Sequence, residues 1–203
     1  MNKIDFFREG IRNLRTVGTV TRSSKFLCNK IVSLSSVEQS RYVIELGAGD
    51  GVMTRHILKR MAPDAKLISF EINSKFCDLI RKINDPRLIV VEDSAEHLES
   101  YLEKHDFGSV DTVFSALPFV VLPDNLAQQI VQTCHKKMRP AGQFLQIHYS
   151  LLERNLYKEI FGNLAIKFQL LNIPPAFILC CNKEVNGVHV KSKGLKINSL
   201  RTD

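Results

Sequence analysis

Short apolar segments alternate with helical segments along most of this 203-residue chain. Five strands are predicted between residues 42 and 147, separated by stretches whose apolar residues follow helical spacing. Strands that alternate with helices favour a parallel sheet with helices on both faces. Two more strands, at roughly 165–173 and 176–183, are joined by Pro174-Pro175 and should form an antiparallel hairpin. The sequence therefore predicts an α/β fold on a seven-stranded, mostly parallel sheet.

The chain divides into three predicted regions. Residues 36–184 form the predicted globular domain, residues 1–35 a helical extension and residues 185–203 a polar, basic tail. Apolar residues spaced for one helix face begin the extension: Ile4, Phe7, Ile11 and Leu14. Arginines fall largely on the other side, so this amphipathic helix is predicted either to lie in a lipid interface or to pack on its own domain.

The net charge of +7 is concentrated at the two ends of the chain. Residues 1–30 carry seven basic and two acidic residues, and residues 184–203 carry four and two. A cationic end indicates a polyanionic partner, either an anionic membrane surface or nucleic acid. Solubility alone is the third interpretation.

Several classes of protein are disfavoured. The chain has no continuous apolar run long enough to span a bilayer, and its first residues do not resemble a secretory signal. Its five cysteines form no CxxC pair and no metal-ligand spacing, which fits reduced thiols in a cytosol and no metal site.

A glycine-rich loop follows the first predicted strand. It begins at Glu45 and contains Gly47-Ala48-Gly49 and Gly51. A dinucleotide-binding fingerprint would need another glycine at position 52, which is Val52. An acid followed by G-x-G-x-G therefore favours S-adenosylmethionine, with a plain tight turn as the structural alternative.

Carboxylates follow the next two strands. Glu71, followed by Ile72, ends the second strand, and its two oxygens can accept hydrogen bonds from both hydroxyls of a ribose. Asp93, followed by Ser94, ends the third strand and can accept from an adenine amine. The alternative for Asp93 is the N-cap of the following helix.

The loop after the fourth strand reads Ser115-Ala116-Leu117-Pro118-Phe119. In such a sheet this loop should face the methyl group of the bound cofactor. Carbonyls before Pro118, with the Ser115 hydroxyl, can accept from an amine, and Phe119 can offer an aromatic face to a cationic nitrogen. An ordinary strand exit with a core phenylalanine is the alternative.

These loops resemble those of class I S-adenosylmethionine-dependent methyltransferases, and most of all the bacterial phospholipid N-methyltransferases that act on phosphatidylethanolamine. The resemblance runs over about residues 5–183 and rests on four further stretches: 17–24, 115–123, 146–150 and 172–176. The chain departs from that family at Arg22, in its lack of tryptophan and in the tail from residue 184.

The resemblance implies a Rossmann-like methyltransferase fold and methylation of an aminophospholipid by an enzyme peripheral to the cytoplasmic face of a membrane. It assigns catalytic roles to Ser115, Leu117, Pro118, Phe119 and Tyr149. The residues that it assigns to S-adenosylmethionine are Glu45, Gly47, Ala48, Gly49, Gly51, Glu71, Ile72, Asp93, Ser94 and Ser115. Tyr149 and Ser115 are predicted to bind or relay the proton of the amine, whereas His148 should face away. Tyr149 and Phe119 are also expected to stabilise the methylated cation.

Two alternatives remain open at this point. Ribosomal RNA adenine dimethylases share this core and have an N-L-P-Y-like fourth loop, and a basic N-terminus suits RNA. Against them, the fourth loop begins with Ser115 and no separate C-terminal RNA domain is evident. A non-enzymatic membrane-binding module that retains the fold is the third hypothesis. Ornithine lipids and other amines are also possible acceptors.

Overall fold

The computed structural model describes residues 23–185 as a sheet flanked by helices. The strands in this part are β1 (Tyr42–Leu46), β2 (Lys66–Phe70), β3 (Leu88–Val91), β4 (Val110–Ser115), β5 (Met138–His148), β6 (Ala165–Gln169) and β7 (Ala176–Asn182). The helices are α1 (Lys25–Ser33), α2 (Val52–Arg60), α3 (Ser74–Arg81), α4 (Leu98–Lys104), α5 (Asp124–Lys137) and α6 (Arg154–Phe161). Short 3-10 turns lie at Val37–Gln39, Ala95–His97 and Phe119–Val121.

The strands form one sheet in the order β3-β2-β1-β4-β5-β7-β6. Strands β1 to β5 pair in parallel, and β7 runs antiparallel to both β5 and β6. This confirms the predicted α/β fold, with its antiparallel C-terminal hairpin. The strand order reverses at β1, which lies between β2 and β4. Ligands of open α/β sheets bind beyond the carboxyl ends of the strands at such a point.

Two element boundaries differ from the sequence-based expectation. Strand β5 begins at Met138 rather than near Gln143, because Met138 already pairs with Val110 of β4. Ala141 and Gly142 also exchange backbone hydrogen bonds with Lys183. Strand β6 ends at Gln169, so the hairpin connection is residues 170–175 rather than two prolines alone.

Both faces of the sheet are covered by apolar side chains. On one face, Leu27 and Ile31 of α1 pack with Ile57 of α2 in a fully buried cluster. On the other face, buried residues of α5 and α6 such as Ile130 and Tyr157 cover the sheet. The helix α1 is therefore part of the packed core of the described chain.

The predicted N-terminal extension is described only from residue 23, and the predicted amphipathic helix and the tail from residue 186 lie outside the described residues. Among residues 23–185, none of the helices combines the length and apolar character that a bilayer crossing requires. Within the same range, no group of three or more His, Cys, Asp or Glu residues is arranged to hold a metal ion.

Candidate active site

Three glycines of the loop after β1 have left-handed backbone conformations. The φ angles of Gly47, Gly49 and Gly51 are +75°, +57° and +78°, a region that residues with a Cβ rarely adopt. The Gly51 N–H donates to the Ala48 carbonyl at 3.0 Å and closes the turn. A Cβ on Gly47 would lie 3.1 Å from Leu117 Cδ2, whereas a Cβ on Gly49 would meet no atom within 4 Å. Gly49 is thus the point where a ligand can approach the backbone.

Glu71 joins this loop to the loop after β2. Its Oε2 accepts from the Gly49 N–H at 2.8 Å, and its Oε1 accepts from the Asn73 N–H at 2.9 Å. Each carboxylate oxygen can accept a second hydrogen bond. The carboxylate is therefore held by the backbone and keeps acceptor capacity for two ligand hydroxyls. Its neighbour Ile72 is buried, with 8% of its surface exposed.

Glu45 lies inside the protein rather than on the open side of the loop. Its Oε2 accepts hydrogen bonds from the Thr54 and Ser69 hydroxyls, both at 2.7 Å, and the residue is fully buried. Its Oε1 is buried without a hydrogen-bond partner among the described residues. Burial raises the pKa of Glu45 to about 7, against the lowering effect of the two hydroxyl donors. In this position Glu45 ties β1 to β2 and α2.

Asp93 is engaged by its own helical segment. Its Oδ1 accepts from the Ser94 N–H at 2.7 Å and lies 3.1 Å from His97 Nδ1, and its Oδ2 accepts from the Tyr101 hydroxyl at 3.0 Å. Burial raises its pKa, but these three contacts together leave the pKa below its ordinary value. Ser94 is buried, whereas Asp93 is half-buried, and the Ser94 hydroxyl caps the next turn by accepting from the Glu96 N–H. The predicted adenine contacts of Asp93 and Ser94 stay predictions.

The side chain of Gln146, on β5, holds the loop after β4. Gln146 Nε2 donates to the Leu117 carbonyl at 2.9 Å and to the Ile147 carbonyl at 2.8 Å. The Leu117 N–H in turn donates to the Ser115 hydroxyl at 3.4 Å. Gln146 is fully buried, and its Oε1 has no partner among the described residues. The Val121 N–H donates to the Pro118 carbonyl and continues the loop into a 3-10 turn.

Phe119 and His148 face the core. Phe119 is 1% exposed, and its ring lies edge-on to Tyr157 with centroids 6.3 Å apart. Its ring therefore packs inside the protein, as in the alternative of a core phenylalanine, and its contact with a cationic nitrogen stays a prediction. His148 Nε2 lies 2.7 Å from the Tyr157 hydroxyl, and burial lowers the pKa of His148 to about 4. This agrees with the structural role expected for His148.

Tyr149 lies beside the N-terminal end of the described chain. Its hydroxyl is hydrogen-bonded to Asn172 and Ser23, and burial keeps its pKa above the ordinary value. Asn172 Oδ1 also accepts from the Ser24 N–H at 2.9 Å. Tyr149 therefore connects the end of β5 to both the hairpin connection and the segment before α1.

The predicted site residues form two groups at the carboxyl edge of the sheet. At the loops after β1, β2 and β4, Glu71 accepts from the Gly49 N–H and Leu117 packs against Gly47. Ser115 and Gln146 are register partners on neighbouring strands and share a face. Tyr149 is an odd number of residues from Gln146 and so belongs to the opposite face.

Sequence reasoning missed the roles of Gln146 and Asn172. Gln146 interrupts an otherwise apolar strand between Leu145 and Ile147, and a buried amide in such a strand usually has specific partners. That signal was available. The pairing of Asn172 with Ser24 joins residues far apart in the chain and has no local signature.

The residues at the carboxyl edge fit S-adenosylmethionine. Space beside Gly49 lets a ligand reach the backbone, and the Glu71 carboxylate can accept from ribose hydroxyls. The amino acid end of the ligand is small and polar and requires close approach to backbone groups, as glycine-rich loops permit.

Comparison with known proteins agrees with this cofactor. The family model "Ribosomal RNA adenine dimethylase" matches residues 21–167. The chain is 29% identical over 179 residues to the ornithine lipid N-methyltransferase of Singulisphaera acidiphila, covering 87% of this chain and 91% of that protein. It is 32% identical over 101 residues to the ribosomal RNA small subunit methyltransferase A of Caldanaerobacter subterraneus, covering 48% of this chain and 37% of that protein.

The fold is shared with solved methyltransferases. The structure of a SAM-dependent O-methyltransferase from Thermotoga maritima matches with a TM-score of 0.62 and 13% identity. The match covers 93% of this chain and 74% of that one. At this identity the likeness concerns the fold alone.

Glu45 should make stability depend on pH. The pKa of Glu45 rises from 4.5 to about 7 on folding. Its contribution to the free energy of unfolding is therefore fully present below about pH 4.5 and is lost as the pH rises through about 7. Glu45→Gln, neutral throughout, should lack this loss, which is on the order of 3 kcal/mol. Urea denaturation of ligand-free protein between about pH 5 and about pH 8 measures the difference. Parallel pH curves for the two proteins would contradict the burial argument.

Gln146→Glu should destabilise the protein in a pH-dependent way. The carboxylate keeps the shape but, once ionised, faces the Leu117 and Ile147 carbonyls without a proton to donate. We expect a loss of about 2–4 kcal/mol near pH 8 and a smaller loss near pH 5, where a protonated acid can donate.

Gln143→Glu on the same strand is the matched control. The side-chain oxygen of Gln143 accepts from the Ser36 N–H, and a carboxylate can do the same. Equal stability of the two variants relative to wild type at each pH would show that Gln146 does not hold the loop.

Proposed function

The chain belongs to the ribosomal RNA adenine dimethylase family and is an S-adenosylmethionine-dependent methyltransferase, and we propose that it N-methylates the amine of an aminolipid at a membrane surface. One observation carries the choice of acceptor. The match to an ornithine lipid N-methyltransferase runs over 87% of this chain and 91% of that protein. Nearly the whole chain is thus built like a protein named for a lipid acceptor.

The matches to RNA methyltransferases are shorter. That to the Caldanaerobacter protein covers 48% of this chain and 37% of that one. The match spans 101 residues and leaves about half of this chain outside it. A core that serves many acceptors says little about which acceptor this chain uses.

Two comparisons together indicate the class of acceptor: the resemblance to phospholipid N-methyltransferases and the match to an ornithine lipid N-methyltransferase. The resemblance indicates phosphatidylethanolamine, whereas the full-length relative is named for ornithine lipid. Both lipids present an amine on a flexible head group to one side of a membrane. We therefore place the acceptor in the class of amine-bearing lipids and the enzyme at the cytoplasmic face of the membrane, with the amphipathic helix predicted from Ile4 to Leu14 as its contact.

The residues at the carboxyl edge have separate roles in binding the cofactor and in bordering the reaction. S-adenosylmethionine, when bound, supplies a methyl group already activated for displacement. The glycine loop and Glu71 hold the nucleoside, and the loop from Ser115 to Pro118 borders the reacting centre. The protein mainly orients a neutral amine for in-line attack, which can supply several kcal/mol.

The Tyr149 hydroxyl is the group that we assign to deprotonation of the amine. Tyr149 is 37% exposed, and its hydroxyl already shares hydrogen bonds with Asn172 and Ser23. The Tyr149 oxygen can accept the proton of the substrate ammonium group as its own hydroxyl proton passes to water.

A second candidate function is methylation of adenine in ribosomal RNA. It is favoured by the family model, which bears that name and covers residues 21–167. The basic ends of the chain suit either an anionic membrane or RNA.

One labelling experiment separates the two functions. Full-length protein and methyl-labelled S-adenosylmethionine are incubated with three acceptors in parallel: anionic vesicles containing phosphatidylethanolamine, anionic vesicles containing ornithine lipid, and unmodified ribosomal RNA. We expect label in one or both lipid extracts. Label in RNA alone would contradict the proposal and establish the second function.

Tyr149→Phe should lower turnover on the preferred lipid by about tenfold or more, in line with loss of a proton-transfer group. The dissociation constant for S-adenosylmethionine, measured by calorimetry, should stay within about twofold, since Tyr149 lies outside the glycine loop–Glu71 group. Tyr42→Phe, at the opposite end of the sheet, is the control. Wild-type turnover in Tyr149→Phe would remove Tyr149 from the reaction.

A further inference from the structure

A group of large apolar side chains is exposed at the edge of the sheet where the candidate active site opens. In the hairpin connection, Leu170, Leu171 and Ile173 are 69%, 62% and 85% exposed. Phe26 of α1 is 63% exposed, and Leu152, three residues after Tyr149, is 81% exposed. We call these five residues the apolar rim. Single exposed apolar residues are ordinary, but a clustered set at one edge marks a binding surface.

The hairpin connection is folded with its polar residue inside and its apolar residues outside. Asn172 is 3% exposed, while the residues on either side of it are among the most exposed apolar residues described. Asn172 Nδ2 donates to the Pro174 carbonyl at 2.7 Å, and its Oδ1 accepts from the Ser24 N–H. The Ser24 hydroxyl donates to the Leu171 carbonyl at 2.7 Å. The backbone is thus anchored in a form that holds Leu171 and Ile173 toward solvent.

Two of the three segments that carry the rim bear positive charge without negative charge, whereas Leu152 is followed by one acid and one base, Glu153 and Arg154. Residues 165–175 contain one lysine, Lys167, and no acid, and residues 22–30 contain Arg22, Lys25 and Lys30 and no acid. Lys25 and Lys167 are exposed. Exposed apolar residues flanked by basic ones match an anionic bilayer, which offers hydrocarbon beneath a negative surface.

The rim is attached to the candidate active site. Strand β5 ends at His148, which pairs with Phe177 of β7, so the connection 170–175 lies beyond the carboxyl end of β5. The Tyr149 hydroxyl is bonded to Asn172 inside that connection and to Ser23. Contact of the rim with a membrane would therefore bring the end of β5 close to the lipid head groups.

We propose that the apolar rim is a membrane-docking surface, which inserts its side chains among the lipids of an anionic bilayer and presents the active site to the head-group layer. The proposal rests on the proposed function for the identity of the substrate. It also assigns membrane contact to the folded domain itself, in addition to the segment before residue 23.

The absence of tryptophan from the chain makes a direct test possible. Leu171→Trp places a single fluorophore in the rim, and Leu79→Trp places one at a 40% exposed position of α3 as the control. The vesicles are mixtures of phosphatidylglycerol and phosphatidylcholine, which contain no acceptor amine. We expect the emission of Leu171→Trp to shift to the blue on addition of vesicles and that of Leu79→Trp to stay unchanged.

A second pair of variants measures the contribution to binding. The double variant Leu170→Asn with Leu171→Asn should bind the same vesicles about tenfold or more weakly, since each side chain loses its transfer into hydrocarbon. Leu79→Asn should bind like wild type. Affinity for S-adenosylmethionine should be unchanged in both.

Three outcomes would overturn the proposal. Protein that cosediments with vesicles without any shift at Leu171→Trp would place all docking in the segment before residue 23. Emission already blue-shifted without vesicles would show that the rim is covered by the chain itself or, if sedimentation velocity finds a dimer, by a second copy. Wild-type binding by the Asn double variant would exclude the rim. Because these vesicles lack an acceptor amine, the binding test does not depend on methylation. A protein that fails to methylate lipids can therefore still confirm or contradict the docking proposal.

Discussion

The arrangement of the site depends on a single carboxylate that bridges two loops. Glu71 accepts from the Gly49 N–H after β1 and from the Asn73 N–H after β2. Both donors are backbone groups at the edge where the strand order reverses, so the carboxylate fixes the relative position of the two loops and its own orientation together. The left-handed glycines make this contact possible, because a loop with side chains at those positions could not turn so tightly. Glu45 reinforces the same junction from within by tying β1 to β2 and α2.

The other half of the site is built from contacts between strands and the segments beyond them. Gln146 uses its amide to hold the loop after β4, and Asn172 uses its amide to hold the hairpin connection against the start of α1. Each buried amide fixes a backbone whose neighbouring side chains are then free to meet a ligand or a surface. In this account the cofactor is held on rigid backbone near β1, and the acceptor approaches from the β5 side, where the apolar rim lies.

The sequence predicted the fold well because its signals are local. Strands β1 and β2 match their predicted bounds, since short apolar runs and glycines are readable within a few residues. The predicted boundaries of a strand were wrong where residues far away in the chain determine them. The early start of β5 depends on the pairing of Met138 with Val110, and the early end of β6 accompanies the link from Asn172 to Ser24. Two positions for Phe119 were open from the sequence, and the side chain lies in the core beside Tyr157, which is far along the chain. The positions of the site loops were predictable, whereas the direction of individual side chains within them was not.

The affinity of Glu71→Gln for S-adenosylmethionine tests the central claim most directly. An amide keeps the size of the side chain but removes the charge and one acceptor, so isothermal calorimetry should show binding weakened by about ten- to hundredfold. Glu92→Gln is the matched control, because Glu92 is an exposed carboxylate near the same edge that pairs with Arg81. Unfolding of the ligand-free variants, measured alongside, reports whether the loops are intact. Wild-type affinity in a stably folded Glu71→Gln protein would contradict the account.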